Sequence, residues 1–412
     1  MAIHNLIGYD AMRSNTAIPL DAWMTRLGLQ LPIQVRVYAA FFLYAFSMGG
    51  FYPRLPELQV QMGVGEGTLG LAIMGVAAGM LVSLTFFVPQ LERMRSRTVL
   101  LTTLPVISIA FALASHMRAA VAVFFFLFLV GLVMGFIETI VNLEADRIEH
   151  QTGTRIMNRS HGFWSIGFFA GGAISAVFAR FDISPQSQLW VTAGVVYLLM
   201  VLLLGRFQPT PARAQHPTTP ETPRWATPTK GILLLVSVCA SALLLEGAGY
   251  DWSAIYMRGV FDSSAAFAAS AVSVIALAQA STRFIADQVV QRFGPVTTAR
   301  WLISVLLIGT IAVTVAPNVF TAMLGFALMG VGSSAIFPMA MSAAAQRSDR
   351  SATLNVAAMA QYGFVVFLLA PPLLGFVAEH LGLRWSFGVS IPLILLSLLS
   401  SGALAPDKGH HA

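Results

Sequence analysis

Three carboxylic acids, Glu138, Glu246 and Asp251, lie within long apolar stretches of this sequence. A charged carboxylate at the centre of a bilayer costs roughly 2.5–3.5 kcal/mol on insertion scales. We expect neither glutamate to have a Lys or Arg at comparable depth, so desolvation favours the protonated acid until water or a solute enters. An acid in that situation can bind and release a proton. The alternative is a permanently protonated acid that hydrogen-bonds between helices.

The stretch around Glu138 places small and polar residues on one helical face. Gly131, Gly135, Glu138 and Asn142 follow three- and four-residue spacing, which stacks them along a helix. Small residues allow a neighbouring helix to approach, while the acid and the amide offer hydrogen-bonding groups one turn apart. This face is either a functional surface or a packing stripe with an interhelical amide bond.

A histidine and several aromatic residues provide further candidates. His161 precedes Trp164 by one turn and either relays protons, contacts a solute or bonds a carboxylate such as Glu144. Gly and Pro loosen the chain around residues 47–56 and 246–252, and interrupted helices at corresponding places indicate a transport site. Rings there can stack on a sugar, or they form an interfacial aromatic belt. The candidate solute contacts are Tyr44, Phe51, Tyr52, Arg54, Asn142, His161, Trp164, Tyr250, Trp252 and Gln361.

Twelve apolar segments must position these groups. Each has roughly the 20 residues that a helix needs to cross the hydrocarbon core. They cover residues 34–57, 67–89, 98–115, 119–143, 160–180, 188–205, 231–257, 265–286, 297–315, 318–342, 353–378 and 384–405. A short amphipathic helix around residues 20–29 precedes them, with Trp23 at the lipid interface. The sequence therefore predicts an all-α polytopic membrane protein with twelve transmembrane helices in two six-helix bundles.

The basic residues predict the orientation of these helices. Of the 24 Lys and Arg residues, all but Arg54, Arg118, Arg180, Arg258 and Arg384 fall on the side that carries both termini. Cytoplasmic loops are enriched in Lys and Arg, so both termini are predicted to be cytoplasmic and the protein to lie in the cell inner membrane. The net charge of +6 follows from this topology and does not indicate nucleic-acid binding. The expected partners are the lipid bilayer and a small-molecule substrate, with the protein acting as a monomer.

A composition of 57% hydrophobic and 10% charged residues, with a mean hydropathy of +0.75, suits a chain surrounded mostly by lipid. We divide it into an N-terminal segment (1–33), a first bundle (34–205), a Pro-rich cytoplasmic linker (206–230), a second bundle (231–405) and a tail (406–412). Offsetting the halves by about 199 residues aligns Arg93 with Arg292 and Gly131 with Gly330. A parallel repeat of this kind builds one large class of secondary transporters, with the solute site between the halves.

Residues 283–294 read RFIADQVVQRFG. This segment resembles the loop signature of the major facilitator superfamily, in which an acid at a helix end precedes an Arg-x-Gly turn. The resemblance implies that Asp287, Arg292 and Gly294 form a cytoplasmic gate motif. The first-half counterpart is degraded: Arg95 replaces the turn glycine, and the acid is either shifted to Glu92, beside Arg93, or lost.

Three other stretches resemble a narrower branch of that superfamily, which includes rhizopine-type transport proteins and, more distantly, fucose permease. They read ETIVNLE from residue 138, HGFWSIG from 161 and EGAGYDWS from 246. The resemblance implies an all-helical transporter whose acid in the fourth helix, here Glu138, binds the proton.

These observations favour a secondary active transporter that works by alternating access and couples proton movement, through Glu138, Glu246 or Asp251, to a small polar organic solute such as a sugar or cyclitol. The alternative is a proton-coupled antiporter that exports drugs or metabolites, although residues 167–172 lack the proline typical of such exporters. No Gly-x-x-x-x-Gly-Lys-Ser/Thr sequence occurs, so we expect no cofactor and an ion gradient as the energy source, with sodium possible. An enzyme is not expected, because no nucleophile–base pair or metal-ligand cluster is evident.

Overall fold

The first half of the chain forms helices where spans one to six are predicted. The computed structural model describes residues 20–87, 94–153, 156–210 and 226–405. The first-half α-helices are α1 (Leu20–Leu27), α2 (Ile33–Phe51), α3 (Leu55–Met62), α4 (Glu66–Phe86), α5 (Ser96–Ala114), α6 (Ala120–Thr152), α7 (Met157–Arg180) and α8 (Pro185–Leu204). A 3-10 turn, Tyr52–Arg54, joins α2 to α3. Pro53 and Pro56 interrupt the regular helix there because they lack an amide hydrogen.

The second half repeats this arrangement with more interruptions. Its α-helices are α9 (Lys230–Phe261), α10 (Ala265–Phe293), α11 (Pro295–Thr314), α12 (Val319–Ser333), α13 (Ile336–Ala345), α14 (Ala352–Leu381), α15 (Leu383–Gly388) and α16 (Ile391–Ser400). The pair α12 and α13 forms one predicted span, and α15 and α16 form another. Gly294 and Gly382 end α10 and α14 at φ angles of 80° and 89°, which glycine adopts most readily.

The all-α polytopic fold is confirmed. Eleven helical segments within the described residues are long and apolar enough to cross a membrane. The first predicted span is not among them: α2 has 19 residues, and Gln34 and Arg36 lower its hydropathy. With α2 the segments make up the twelve predicted spans. Three predicted parts, the N-terminal residues 1–19, linker residues 211–225 and the tail 406–412, lie outside the described residues.

Two glycines show the repeat between the halves in atomic contacts. A Cβ atom at Gly131 on α6 would lie 1.9 Å from the carbonyl oxygen of Val76 on α4. A Cβ atom at Gly330 on α12 would lie 2.6 Å from the carbonyl oxygen of Ile275 on α10. Both members of the second pair lie 199 positions after those of the first. The same close helix approach, which only glycine permits, therefore occurs once in each half.

The halves meet mainly along two helix pairs, α4 with α14 and α7 with α10. We call the end of the molecule where α8 finishes and α9 starts the linker end, and the opposite end the loop end. At the loop end, Gly70 packs against the carbonyl oxygen of Pro371, and Gly375 against that of Glu66. The Glu379 carboxylate accepts a hydrogen bond from the Gly67 backbone N–H at 2.9 Å. These contacts close the loop end between the halves.

Candidate functional site

A cavity of about 1360 Å³ lies between the two halves. It is lined mainly by α2, α4, α6, α7, α9, α10, α13 and α14, so both bundles contribute to its wall. The lining reaches Met157, Arg347 and Ala405 at the linker end, whereas the loop end is closed by the α4–α14 contacts. The cavity therefore opens at the linker end. Its size exceeds that of a typical small-molecule pocket, which leaves room for solute and water together.

Glu138 lies in a hydrogen-bonded group of side chains, the Glu138 group, on the part of the cavity wall that the first half contributes. The Tyr44 hydroxyl donates to one of its carboxylate oxygens at 3.1 Å, and the Asn142 amide donates to the other at 2.9 Å. The Asn142 Oδ1 atom lies 3.2 Å from His161 Nε2. Three helices, α2, α6 and α7, thus contribute to one polar group around an acid that forms no ion pair with a described residue.

The prediction that His161 bonds to Glu144 is wrong. Glu144 is fully buried beside Ser96 Oγ at 2.5 Å and Arg147 at 3.0 Å, and it accepts the Thr210 backbone N–H at 2.9 Å. It lies two residues beyond Asn142, a rotation of about 200° around a helix, so it faces away from His161. Its carboxylate instead holds the start of the linker against the first bundle.

The expectation that Glu246 lacks a cation at its depth is also wrong. Arg283 on α10 places its Nη2 atom 3.1 Å from Glu246 Oε1 on α9, and both side chains are largely buried. Arg283 lies within a predicted span, but the sequence count assigned it to the cytoplasmic basic residues. An ionisable residue inside a membrane helix is itself a signal of a functional site, and this signal was available in the sequence.

Arg283 joins the two halves through its remaining donors. Its Nη1 atom donates to Ser165 Oγ on α7 at 3.1 Å, and its Nε atom to the Ser334 carbonyl oxygen at 3.0 Å. Its guanidinium carbon lies 6.0 Å from the centroid of the Trp164 ring. The planar, permanently charged guanidinium group of Arg283 therefore connects the first bundle to Glu246 in the second.

Asp251 is the third predicted acid, and it also lines the cavity. Its side chain is only 7% exposed. No hydrogen bond or ion pair joins its carboxylate to a described residue, in contrast to Glu246 one and a half turns earlier on α9. A buried carboxylate without a donor or counter-charge is strongly disfavoured in its ionised form.

Aromatic rings from both halves form the inner part of the wall. Tyr250 lies 4.2 Å from Phe168 and 6.5 Å from Trp164, and Trp164 lies 5.4 Å from Phe168, between ring centroids. Tyr44 and Tyr52 contact Trp164 and Phe168 from α2 and the 3-10 turn that follows it. Phe168 itself is fully buried and does not line the cavity, so it supports the rings of Tyr250 and Trp164 from behind.

The structure brings seven of the ten predicted solute contacts to the cavity: Tyr44, Tyr52, Asn142, His161, Trp164, Tyr250 and Gln361. Phe51, Arg54 and Trp252 are not among its lining residues. Phe51 is buried, with its ring centroid 4.6 Å from that of Phe111, and Trp252 is fully buried. Arg54 donates to the Ile183 carbonyl oxygen at 2.7 Å and pairs with Glu57 at 3.1 Å. Neighbours on a helix diverge by about 100°, so Asp251 faces the cavity while Trp252 packs inside the bundle.

The predicted gate motif is only partly described. Asp287 lines the cavity near the linker end, and Gly294 has a φ of 80°, which glycine adopts most readily. Arg292 is exposed beside Phe293. Glu92 and Arg93 lie outside the described residues, so the gate remains a prediction. Within the described ranges, no three His, Cys, Asp or Glu side chains are grouped so that they could hold a metal ion.

Comparison with known proteins identifies the family. The model of the Major Facilitator Superfamily matches residues 37–365 and, in a second match, 234–411. This chain belongs to the major facilitator superfamily. It is therefore a multi-pass membrane protein and a secondary transporter rather than an enzyme.

Relatives within the superfamily match nearly the whole chain. An uncharacterized MFS-type transporter of Yersinia pestis is 26% identical over 372 residues, which are 89% of this chain and 94% of the relative. The membrane protein MosC of Rhizobium meliloti is 23% identical, over 89% of this chain and 88% of its own length. The crystal structure of the nucleoside transporter NupG matches with a TM-score of 0.65 at 14% identity, covering 91% of this chain and 98% of that one. The last comparison shows the shared fold.

Proposed function

We propose that this protein moves a small polar organic solute across the cell inner membrane by alternating access, coupled to protons through Glu138 and Asp251. The observation that carries the proposal is that both carboxylates lie on the cavity wall without a cationic partner among the described residues. Such acids take up a proton when the cavity is dry and release it when water reaches them. Glu246 is a weaker candidate because Arg283 stabilises its charged form.

The cavity wall supports a sugar-like or cyclitol-like solute. Trp164 and Tyr250 offer ring faces, and Asn142, His161 and Arg283 offer hydrogen-bonding groups beside them. A saccharide or cyclitol presents an apolar ring face and many hydroxyl groups, which this combination of rings and polar groups complements. Fixed polar groups among apolar walls are also the usual composition of small-molecule sites.

Alternating access follows from the arrangement of the halves. Glycine contacts close the loop end, and the cavity opens at the linker end, which carries most of the Arg residues. We assign the linker end to the cytoplasm by the positive-inside rule. Rocking the two bundles about the fixed central site would open the loop end and close the linker end. We further propose that the protein works as a monomer, without a cofactor, and that sodium is the alternative coupling ion.

The proposal is tested by solute-triggered pH change inside proteoliposomes, with sugars, cyclitols and cationic drugs as the solutes. We expect the wild-type protein to move protons together with one solute class, and Glu138→Gln or Asp251→Asn to abolish that movement. Asp182→Asn is the matched control, because Asp182 is exposed at the loop end and asparagine accepts its positive φ. Unchanged proton movement in both cavity variants would contradict the proposal.

A second candidate function, proton-driven export of drugs or metabolites, is favoured by the apolar part of the wall. Met48, Met80, Phe337, Phe364 and Phe367 line the cavity with flexible and aromatic side chains, which accommodate varied apolar ligands. The same assay separates the two functions. Proton movement against a cationic drug would favour export, and proton movement with a sugar or cyclitol would favour import.

A further inference from the structure

A second cavity, of about 910 Å³, lies at the linker end of the first bundle, away from the central site. It is formed where α1, the start of α2, the start of α5 and the end of α8 meet. Its lining is dominated by five arginines: Arg26, Arg36, Arg95, Arg97 and Arg206. We call it the arginine pocket. None of its lining residues lines the central cavity.

The arginine pocket forms where α1 docks against the end of α8, and we call this docking site the seat of α1. The Leu29 backbone N–H donates to the Leu202 carbonyl oxygen at 2.7 Å, and Arg206 Nε donates to the Thr25 carbonyl oxygen at 2.9 Å. Gly28 and Gly205 make this seat possible. A Cβ atom at Gly205 would lie 2.2 Å from the Met24 carbonyl oxygen, and one at Gly28 would lie 2.8 Å from the Arg206 nitrogen. The pocket is therefore a fixed feature of the folded first half.

The charge inside the arginine pocket is not balanced by its described lining. No Asp or Glu is among the lining residues, and none of Arg26, Arg36, Arg95 or Arg206 forms an ion pair with a described residue. Arginine does not lose its proton in proteins, so the mutual repulsion of the guanidinium groups is not relieved by titration. An anion in the pocket would relieve it.

One buried group also lacks an acceptor. Arg36 Nη1 donates to the Arg206 carbonyl oxygen, but the buried Arg36 Nε atom has no hydrogen-bond partner. Guanidinium groups bind the oxygens of phosphate and carboxylate through two parallel hydrogen bonds, so a phosphate group is one anion that several arginines recognise.

The surroundings of the arginine pocket are those of a membrane surface. Trp23 is half-buried, and the apolar side chains of Leu27, Leu29 and Val35 are 58%, 48% and 39% exposed beside the basic residues. An apolar rim next to basic groups at the end of transmembrane helices suits acyl chains and a lipid headgroup. We propose that the arginine pocket binds the phosphate group of an anionic phospholipid from the leaflet at the linker end.

Native mass spectrometry of the purified full-length protein tests this proposal. The probes are phosphatidylglycerol and phosphatidylcholine with the same acyl chains, and inorganic phosphate as a competitor. The test variant is Arg26→Gln with Arg95→Gln, because neither exposed side chain hydrogen-bonds a described residue. The matched control, Arg118→Gln with Arg180→Gln, removes two exposed arginines at the loop end and the same charge. Thermal unfolding verifies that both variants fold.

We expect the wild-type and control proteins to retain phosphatidylglycerol in preference to phosphatidylcholine, and the test variant to retain about tenfold less of it. Inorganic phosphate should not displace the bound lipid. Equal retention by the test and control variants, or equal binding of the two lipids by the wild-type protein, would overturn the proposal. Selective binding of inorganic phosphate with displacement of the lipid would overturn the lipid assignment in favour of a free anion.

Discussion

Arg283 donates hydrogen bonds to three groups at the transport cavity: Glu246, Ser165 and the Ser334 carbonyl oxygen. Replacing it with glutamine leaves Glu246 without its counter-charge, and removing one partner of a largely buried pair costs more than removing both. We therefore expect Arg283→Gln to reduce transport by about tenfold or more, equivalent to ~1.4 kcal/mol. The double variant Arg283→Gln with Glu246→Gln should recover part of that loss. A double variant at least as impaired as the single one would show that the pair itself is not the cause.

Trp164 lies where the Glu138 group, Arg283 and the aromatic rings converge. If its ring face binds solute, Trp164→Ala should raise the apparent KM by about tenfold, while Trp164→Phe keeps most of the affinity. Uptake measured over a range of solute concentrations separates KM from the maximal rate. Trp385→Ala is the control, because that ring is 55% exposed on the outer surface. A fall in the maximal rate without a change in KM would assign Trp164 to the conformational change instead.

The sequence identified acids that lie on the cavity wall where one residue carries its own signal, and their roles stay predictions. Glu138 and Asp251 are acids in apolar helices, and the cost of burying them marks them without a structure. The pairing of Glu246 with Arg283 was missed because it depends on how α9 and α10 pack, which helical periodicity does not specify. Trp252 was wrongly grouped with its neighbour Asp251, because sequence proximity does not show which side of a helix faces a cavity.

At the scale of elements, the glycine contacts repeated in the two halves should both be sensitive to substitution. Gly131→Leu and Gly330→Leu force side-chain atoms into the backbone of α4 and α10, and overpacking of this kind costs typically about 1–3 kcal/mol or more. We expect a clear fall in the thermal unfolding midpoint for each variant. Gly194→Leu is the control, because a Cβ atom there meets nothing within 4 Å. Equal stability of all three variants would contradict the close-packing assignment.

The start of α9 is held by a hydrogen-bonded carboxylate on the loop before α14. Thr229 donates to Asp349 at 2.6 Å, which lowers the pKa of Asp349 below its ordinary value, and Asn355 and Arg347 add to this effect. The Thr229 side chain also caps the Ile232 N–H. A carboxyl whose pKa is lower in the folded state stabilises that state above the unfolded pKa, about 3.9, and loses its effect as the pH falls through the folded value.

We therefore expect amide-hydrogen exchange over residues 226–232 to stay constant from about pH 5 to 8 after correction for the intrinsic rate, and protection to fall only in stronger acid. Asp349→Asn should reduce the protection at neutral pH, because the charge-assisted hydrogen bonds are lost. Loss of protection in the wild-type protein between those pH values would show that another group holds the segment.

Element boundaries were less predictable than element identity. The sequence predicts one span over 318–342, but the structure breaks it between Ser333 and Ile336. The break places the Ser334 carbonyl oxygen where Arg283 can bind it. The interruption has a local cause that the prediction missed: Pro338 has no amide hydrogen for the Ser334 carbonyl four residues earlier, and its ring clashes with that carbonyl. The carbonyl oxygen is thus left to accept from Arg283, 51 residues away.

For the molecule as a whole, closure of the loop end should require glycine where α4 packs against α14. A Cβ atom at Gly70 would lie 2.4 Å from the Pro371 carbonyl oxygen, so Gly70→Leu should prevent closure and favour a cavity open at the loop end. Cys239 is fully buried, so we expect it not to react with a maleimide, and labelling then reports only an introduced cysteine. We expect Met48→Cys in the Gly70→Leu protein to react with an impermeant maleimide in right-side-out vesicles. Met48→Cys alone should react only in inverted vesicles.

Reactivity of Met48→Cys from the same side with and without Gly70→Leu would contradict this assignment of the closed end. Gly194→Leu again serves as a control for the added side chain. The result also reports the orientation of the protein, because right-side-out vesicles expose the side predicted to be periplasmic.

The seat of α1 has a consequence for how the protein is made. Thr25 and its acceptor at Gly205 are 180 residues apart, so the ribosome completes six spans before the seat of α1 exists. At about 5–20 residues per second, roughly 10–35 s pass between the synthesis of Thr25 and that of Gly205. During that time the surface of the membrane is the apolar phase available to α1. The contacts that hold α1 against the end of α8 can therefore form only after the sixth span has been synthesised.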